Sequence, residues 1–226
     1  MPNFVYYLYL IPLTASTVVS LRSFKNQWAK PYRYFSLFLM ATLTNELFAI
    51  SWKFFLHHNR YWDFPNANLW IYNIYLPPQY LFYFLFFSLM IDEPALRKMK
   101  KTIMVGYLIF CILNITFFQS IKELNTYTII VGNALVIGYS ITYFIHELNR
   151  QNPLPVQRQS LFWISLGAFV FNTVSLPYFI SINYLSRNNL PLAVALFNIL
   201  LILNILMYIC YLIAFLCKTP SPRKPS

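Results

Sequence analysis

The sequence predicts an all-α, polytopic membrane protein: a bundle of seven transmembrane helices with its N-terminus outside and its C-terminus in the cytoplasm. Of the 226 residues, 58% are hydrophobic and only 10% are charged, too few charged side chains to cover a soluble globule of this size. Hydrophobic runs recur at about 20 residues, the length that an α-helix needs to cross ~30 Å of hydrocarbon. Basic residues gather in alternate connections between these runs. Composition, run length and charge therefore agree on one fold class.

Seven hydrophobic runs can be counted along the chain, and each is long enough to span a bilayer. No connection between them exceeds about a dozen residues, so we expect one domain, residues 1–217, followed by a short basic cytoplasmic tail, residues 218–226. The first run lacks the basic leader and the cleavage site of a signal peptide and is expected to remain as a helix. In order, the runs cover residues 4–21, 34–56, 68–91, 102–119, 127–147, 160–182 and 191–217.

The distribution of lysine and arginine predicts the orientation of the bundle. Of the 17 basic residues, 13 lie in the connections 22–33, 92–101 and 148–159 and in the tail, whereas the opposite connections hold Arg60, Lys122 and Arg187. The positive-inside rule places the first group in the cytoplasm. The net charge of +11 then serves orientation and contact with anionic lipid headgroups, so membrane lipid is an expected partner and nucleic acid is not. We expect a multi-pass protein of the plasma membrane, the bacterial inner membrane.

The third run, NLWIYNIYLPPQYLFYFLFFSLMI, contains two consecutive prolines near its middle. Pro77 and Pro78 have no backbone N–H to donate, so two carbonyls of the preceding turn lose their helical partners and a kink is expected. Inside hydrocarbon such carbonyls must be satisfied by neighbouring helices, by side chains or by water in a cavity. Pro12 in the first run and Pro177 in the sixth lie, like Pro77, in the outer half of the bundle, and both are predicted kinks.

Several amide side chains are predicted to lie at similar depths. Rise per residue places Asn73, Asn133 and Asn198 in the outer half, and Gln79, Asn172 and Asn204 near the middle. Kinked helices with converging amides are typical of a pocket open to the outside, in which a small ligand docks. The alternative is packing, because lone asparagines commonly hydrogen-bond between membrane helices. The sequence leaves both interpretations open.

Glu46 is the most informative single residue, because it is the one acid that falls well inside a hydrophobic run, near the mid-plane. Helical spacing puts it on one stripe with Thr42, Ala49 and Lys53, and Lys53 lies near the outer end of the second run. Ionisable groups in a membrane are costly and point to function. Glu46 is predicted to act either as a protonatable or ion-binding switch, or as a neutral or amide-bonded acid that fixes helix packing.

No constellation for enzyme chemistry is found in the sequence. A metal site needs several His, Asp or Glu side chains at one level, but His57 and His58 lie at the outer end of the second run and His146 at the inner end of the fifth. There is no nucleophilic serine motif, Gly-rich phosphate loop or pair of carboxylates at a shared depth. We therefore predict that the protein is not an enzyme and has no metal site and no cofactor.

Two strings near the C-terminus carry a resemblance to a known group. QSLFWISLGAFVFNTVSLPYFI in the sixth run and FNILLILNILMYICYLIAFLCK in the seventh resemble uncharacterised bacterial seven-helix membrane proteins of the histidine-kinase-associated sensor type. That resemblance implies a sensory role and assigns no ligand. A covalent retinal protein is excluded, because the seventh run has no lysine at its middle.

The sequence thus predicts an integral membrane, receptor-like sensor. It would bind a small ligand in an outward-facing pocket and pass a shift in helix packing to a separate cytoplasmic or membrane signalling protein. The ligand-binding or switch residues would be Glu46, Lys53, Asn73, Gln79, Asn133, Asn172, Asn198 and Asn204. The alternatives are a small solute transporter with a polar path through the bundle, or a structural subunit of a membrane complex. Oligomerisation is left open.

Overall fold

The structure is a computed structural model that describes residues 4–56, 68–91, 94–149 and 155–217. The predicted basic tail, residues 218–226, lies outside the described residues, as do His57, His58 and Arg60. Within the described ranges the chain is helical and contains no strand.

Each of the seven hydrophobic runs contains one main helix, which we number α1 to α7. The match follows from the local origin of the signal, because an unbroken apolar run can satisfy its backbone in a membrane only as a helix or in a closed barrel. A single 3₁₀ turn, Phe4–Tyr7, precedes α1, and one short turn of helix, Arg22–Lys25, follows it. The helices are α1 Leu10–Ser20, α2 Lys30–Ser51, α3 Leu69–Met90, α4 Pro94–Leu113, α5 Thr126–Leu148, α6 Ser160–Asn188 and α7 Leu190–Leu216.

Five helical segments are long and apolar enough to cross a membrane: Lys30–Phe55, Lys98–Phe118, Thr126–Leu148, Ser160–Asn188 and Leu190–Leu216. They correspond to α2, α4, α5, α6 and α7, where α2 and α4 are extended by π-helical turns at Trp52–Leu56 and Asn114–Phe118. The helix α1 has only 11 residues, and α3 is diluted by prolines, tyrosines and amides. Over the residues that the structure describes, the chain is therefore a helical, multi-pass membrane bundle.

Six of the seven helices form a closed ring. Going round it, α1 packs on α2, α2 on α3, α3 on α5, α5 on α6, α6 on α7, and α7 returns to α1. The helix α4 lies outside the ring, mainly against α3. Its apolar segment is accordingly the least buried of the five candidate spans.

Aromatic side chains pack inside the ring of six helices. Phe35 of α2 is fully buried. The centre of its aromatic ring lies 4.9 Å from the ring centre of Phe86 and 5.1 Å from that of Tyr211, so α2, α3 and α7 meet there. Phe84 and Phe87 of α3 stack on Tyr139 of α5. Packed aromatic side chains therefore occupy the space between these helices.

Two glycines allow close helix contacts. A Cβ added at Gly132 in α5 would lie 2.6 Å from ring atoms of Tyr80 in α3, and one added at Gly167 in α6 would lie 2.8 Å from the Cβ of Cys210 in α7. Small residues at such crossings let neighbouring helices approach, which is the usual means of tight packing within membranes.

The proline sites differ in their effect on the backbone. Pro77 and Pro78 lie inside α3 and Pro177 lies inside α6, and each helix continues through them. Pro12 is the third residue of α1, where a backbone N–H has no partner within the helix in any case. Pro12 is therefore compatible with the start of a helix as well as with the predicted kink.

Candidate functional site

Glu46 lies in α2 and is half-buried among phenol groups. The hydroxyl of Tyr9, the residue before α1, donates to Glu46 Oε2 at 2.7 Å, and the hydroxyl of Tyr72 in α3 donates to the same oxygen at 2.9 Å. One carboxyl oxygen thus joins three successive segments of the chain. The expected amide partners of Glu46 are absent from this contact, and phenols take their place.

Further tyrosines surround this contact. One turn before Glu46, Thr42 exchanges a hydrogen bond of 2.6 Å with the hydroxyl of Tyr75. Tyr208 of α7 is buried and close enough to Glu46 to interact with it electrostatically. We call Glu46 with Tyr9, Tyr72, Tyr75 and Tyr208 the phenol cluster. It joins α2, α3 and α7 to the start of α1.

The phenol cluster contains no compensating positive charge. In the part of the chain that the structure describes, no lysine or arginine forms an ion pair with Glu46, and the one ion pair found joins Arg187 to Glu123 at an exposed site. An ionised carboxylate in this position depends on the two phenol donors for its stabilisation. A protonated Oε2 would itself become a donor and could not accept both hydrogen bonds in the same way. The geometry therefore depends on the charge of Glu46.

Lys53 does not join this cluster. It is exposed, within the π-helical turn Trp52–Leu56, and its Nζ lies 5.9 Å from the centre of the Phe54 ring. The predicted polar stripe from Thr42 through Glu46 ends at Ala49, which is fully buried. The π turn explains the difference, because its i→i+5 hydrogen bonds change the facing of residues that an α-helical stripe would align.

Asn73 of α3 holds a connection in place. Its Nδ2 donates to the carbonyl oxygens of Ile121 at 2.9 Å and Glu123 at 2.6 Å, and its Oδ1 accepts from the backbone N–H of Asn125 at 3.1 Å. The side chain is 1% exposed. All of these partners belong to the segment between α4 and α5, so Asn73 anchors that segment to α3.

Asn133 and Asn172 are also occupied by hydrogen bonds inside the bundle. Asn133 of α5 accepts from the Tyr80 hydroxyl at 2.5 Å and donates to Ser175 Oγ at 3.4 Å, which links α3, α5 and α6. Asn172 donates to the carbonyl of Ala168 within its own helix at 2.6 Å. Both side chains are buried.

The remaining predicted amides lie apart from these and from one another. Asn198 of α7 is exposed, and Asn204 donates to the carbonyl of Leu200 in its own helix. Gln79 lines a groove between α2 and α3 on the outside of the ring. The structure brings Glu46 together with tyrosines, and it distributes the amides over separate helix contacts rather than around one pocket.

The tyrosines of the phenol cluster were not among the sequence-predicted site residues. In the sequence they are indistinguishable from packing aromatics, because aromatic residues make up 20% of the chain. One signal was available. Tyr72 and Tyr75 are three residues apart and so share a helix face, beside the proline pair.

Within the described ranges, no group of three His, Cys, Asp or Glu side chains could hold a metal ion. The fold and the phenol cluster define the class of protein: a helical multi-pass membrane protein with an ionisable group at a junction of helices. Comparisons with known proteins add no relative, since no protein-family model matches the chain and neither the curated proteins nor the solved structures contain a significant match.

Proposed function

We propose that this protein is a receptor-like sensor of the bacterial inner membrane, with seven spans and the N-terminus outside, which signals to a separate cytoplasmic partner. The observation that carries the proposal is the carboxyl group of Glu46, whose one oxygen receives hydrogen bonds from two different parts of the chain. The basic connections between helices provide the surface through which such a partner would be reached.

In this proposal Glu46 is the switch. When it is ionised, Tyr9 and Tyr72 both donate to Oε2 and hold the start of α1 and α3 against α2. A proton or a small cationic ligand at Oε2 neutralises its negative charge. One of the two hydrogen bonds from Tyr9 and Tyr72 is then no longer favoured. Since α1, α2 and α3 are neighbours in a closed ring, the loss of one contact favours a second arrangement of these helices.

The test measures helix arrangement at two charge states of Glu46. Spin labels at the exposed residues Asn26 and Leu148 report the distance between the α1–α2 turn and the end of α5. In lipid nanodiscs, we expect the distance distribution of the otherwise unchanged protein to shift between alkaline and acidic buffer. Glu46→Gln should keep the acid-form distribution in both buffers, because a neutral amide replaces the carboxylate.

Glu123→Gln is the matched control, since Glu123 is the exposed acid of the Arg187 ion pair and should leave the shift intact. A distribution that is identical in both buffers, or a shift that survives Glu46→Gln, would refute the switch. Solute uptake by protein-containing liposomes that lack any partner would instead favour the transporter. Effects of Glu46→Gln on assembly yield alone would favour a structural subunit.

A further inference from the structure

A long groove runs along the outside of the ring between α2 and α3. Its volume is about 430 Å³ and its walls are largely apolar. On α3 it follows one helical stripe from Tyr75 to Leu85, a length of ~15 Å at the rise of an α-helix. The lining residues are Tyr34, Leu37, Phe38, Ala41, Tyr75, Pro78, Gln79, Phe82 and Leu85.

A second, smaller depression of about 170 Å³ opens at the start of α2 and is lined in part by Lys30 and Arg33. It shares the wall residues Tyr34 and Leu37 with the long groove, so the two adjoin. The combined feature has an apolar body and a basic mouth. That polarity matches an amphiphile rather than a purely apolar molecule.

Within the described residues, the two cations at the mouth, Lys30 and Arg33, have no acidic partner. Arg33 is half-buried and Lys30 is exposed. Both lie at the end of an apolar helix, which is the level of the lipid headgroups. Cations at this level attract anionic headgroups.

We propose that the groove between α2 and α3 is a binding site for an acidic phospholipid of the surrounding membrane. One acyl chain lies in the apolar groove, and the phosphate lies between Lys30 and Arg33. A free anion would contact the cations but leave the apolar groove empty. An apolar helix of another protein would fill the groove but leave both cations without an anionic partner. The groove does not include Glu46, although Tyr75 of the phenol cluster lines it, and the lipid proposal does not depend on the sensor role.

The test is lipid binding by native mass spectrometry of the detergent-solubilised protein. Phosphatidylglycerol and phosphatidylcholine with identical acyl chains are compared. We expect one phosphatidylglycerol to bind in preference to phosphatidylcholine. Replacing one cation should weaken phosphatidylglycerol binding roughly fivefold, and the double variant Lys30→Gln/Arg33→Gln should remove most of the preference. Glycerol phosphate, which lacks acyl chains, should not compete.

A second variant tests the groove rather than the charges. Ala41 is an exposed wall residue of the groove, so Ala41→Trp should fill the groove without disturbing the core and should weaken binding of both lipids. The control for charge is Lys100→Gln/Lys101→Gln, which removes one half-buried and one exposed lysine of α4, away from the groove. This control should keep the preference.

Two results would overturn the proposal. One is an equal loss of preference in the α4 control and in Lys30→Gln/Arg33→Gln, which would mean nonspecific attraction to basic surface. The other is wild-type binding by Ala41→Trp, which would mean that no acyl chain occupies the groove. Melting temperatures of all variants verify that each is folded.

Discussion

Asn73 and Asn198 are similar in the sequence, since both are single amides in apolar surroundings at a comparable predicted depth. The structure separates them. Asn73 makes three hydrogen bonds to one connecting segment and is buried, whereas Asn198 is exposed on α7. The energetic importance of a polar residue in this bundle therefore depends on what it contacts rather than on its position along a helix.

Asn73→Ala should destabilise the protein by about 2–4 kcal/mol, because two carbonyl groups and one N–H of the segment between α4 and α5 lose their partner. Unfolding in mixed micelles, followed by circular dichroism, gives the free energy. Asn198→Ala is the control and should change it by less than ~0.5 kcal/mol. Equal effects of the two substitutions would contradict the anchoring role of Asn73.

Gly132 and Gly138 provide a second pair, both within α5. A methyl group at Gly132 meets the ring of Tyr80, whereas at Gly138 it meets nothing within 4 Å. Gly132→Ala should cost about 1–3 kcal/mol through overpacking. Gly138→Ala should be neutral or stabilising by up to ~1 kcal/mol, because alanine is the better helix former. The same unfolding titration measures both, and a stable Gly132→Ala variant would show that α3 and α5 are not held this close.

At the scale of helices, the structure depends on polar side chains that join one helix to another. The hydrogen bond between Tyr83 of α3 and Tyr211 of α7 crosses the ring, and Tyr80 reaches Asn133 of α5. The phenol cluster adds contacts from α2 to α3 and to the start of α1. The apolar face of a membrane helix is as stable against lipid as against another helix. Polar pairs of this kind therefore determine which helices pack together.

The two phenols that share Glu46 Oε2 should act as a unit. After Tyr9→Phe or Tyr72→Phe alone, the carboxyl group still has one donor, whereas the double substitution removes both. The double variant should therefore lose more stability than the sum of the single variants, with a coupling energy of about 0.5–2 kcal/mol. A double-mutant cycle in mixed micelles measures this coupling. Additive effects would show that the phenols contribute only packing.

At the scale of the whole molecule, ring closure and the peripheral position of α4 are the main features. Closure brings α1 and α7, the first and last helices, into contact, which places Tyr208 beside Glu46. The outside of the ring meets lipid, and the groove between α2 and α3 opens there. The orientation of this bundle is the remaining whole-molecule property, and the basic connections predict it.

The proposed orientation can be measured with single cysteines introduced after replacement of Cys111, Cys210 and Cys217. Lys122→Cys lies in an exposed connection predicted to be outside, and Lys25→Cys lies in an exposed turn predicted to be cytoplasmic. A membrane-impermeant maleimide should label the first in intact cells and the second only after permeabilisation. The reverse pattern would overturn the orientation and, with it, the cytoplasmic partner.

Much of the fold could be predicted from sequence because its signals are local. Each hydrophobic run contains a helix, and Thr126–Leu148 and Leu190–Leu216 differ from the predicted runs by only one residue at each end. The prediction was less complete for α1, where the apolar run 4–21 contains a 3₁₀ turn and then an 11-residue helix. Hydropathy records apolar character and does not resolve such a break.

The candidate site was predictable only in part. Glu46 could be singled out, because the cost of a carboxyl group in hydrocarbon follows from its chemistry and its place in the run. Its partners could not, because Tyr9, Tyr72 and Tyr208 are 37, 26 and 162 positions away and meet it only when the helices pack together. The surroundings of Gln79 could not be predicted either. Its position in the run indicates only a depth near the middle of α3, whereas helix packing puts it in a groove that faces lipid.

The sequence by itself determined that this chain is a helical membrane protein, where its helices lie and which side chain is costly to bury, because each depends on properties of neighbouring residues. Only the tertiary structure decided that the amides serve separate helix contacts, that Glu46 is bound by phenols, and that Lys30 and Arg33 lie at the mouth of an apolar groove. These features arise where helices distant in sequence meet, and in a bilayer the apolar faces of such helices do not by themselves specify their partners.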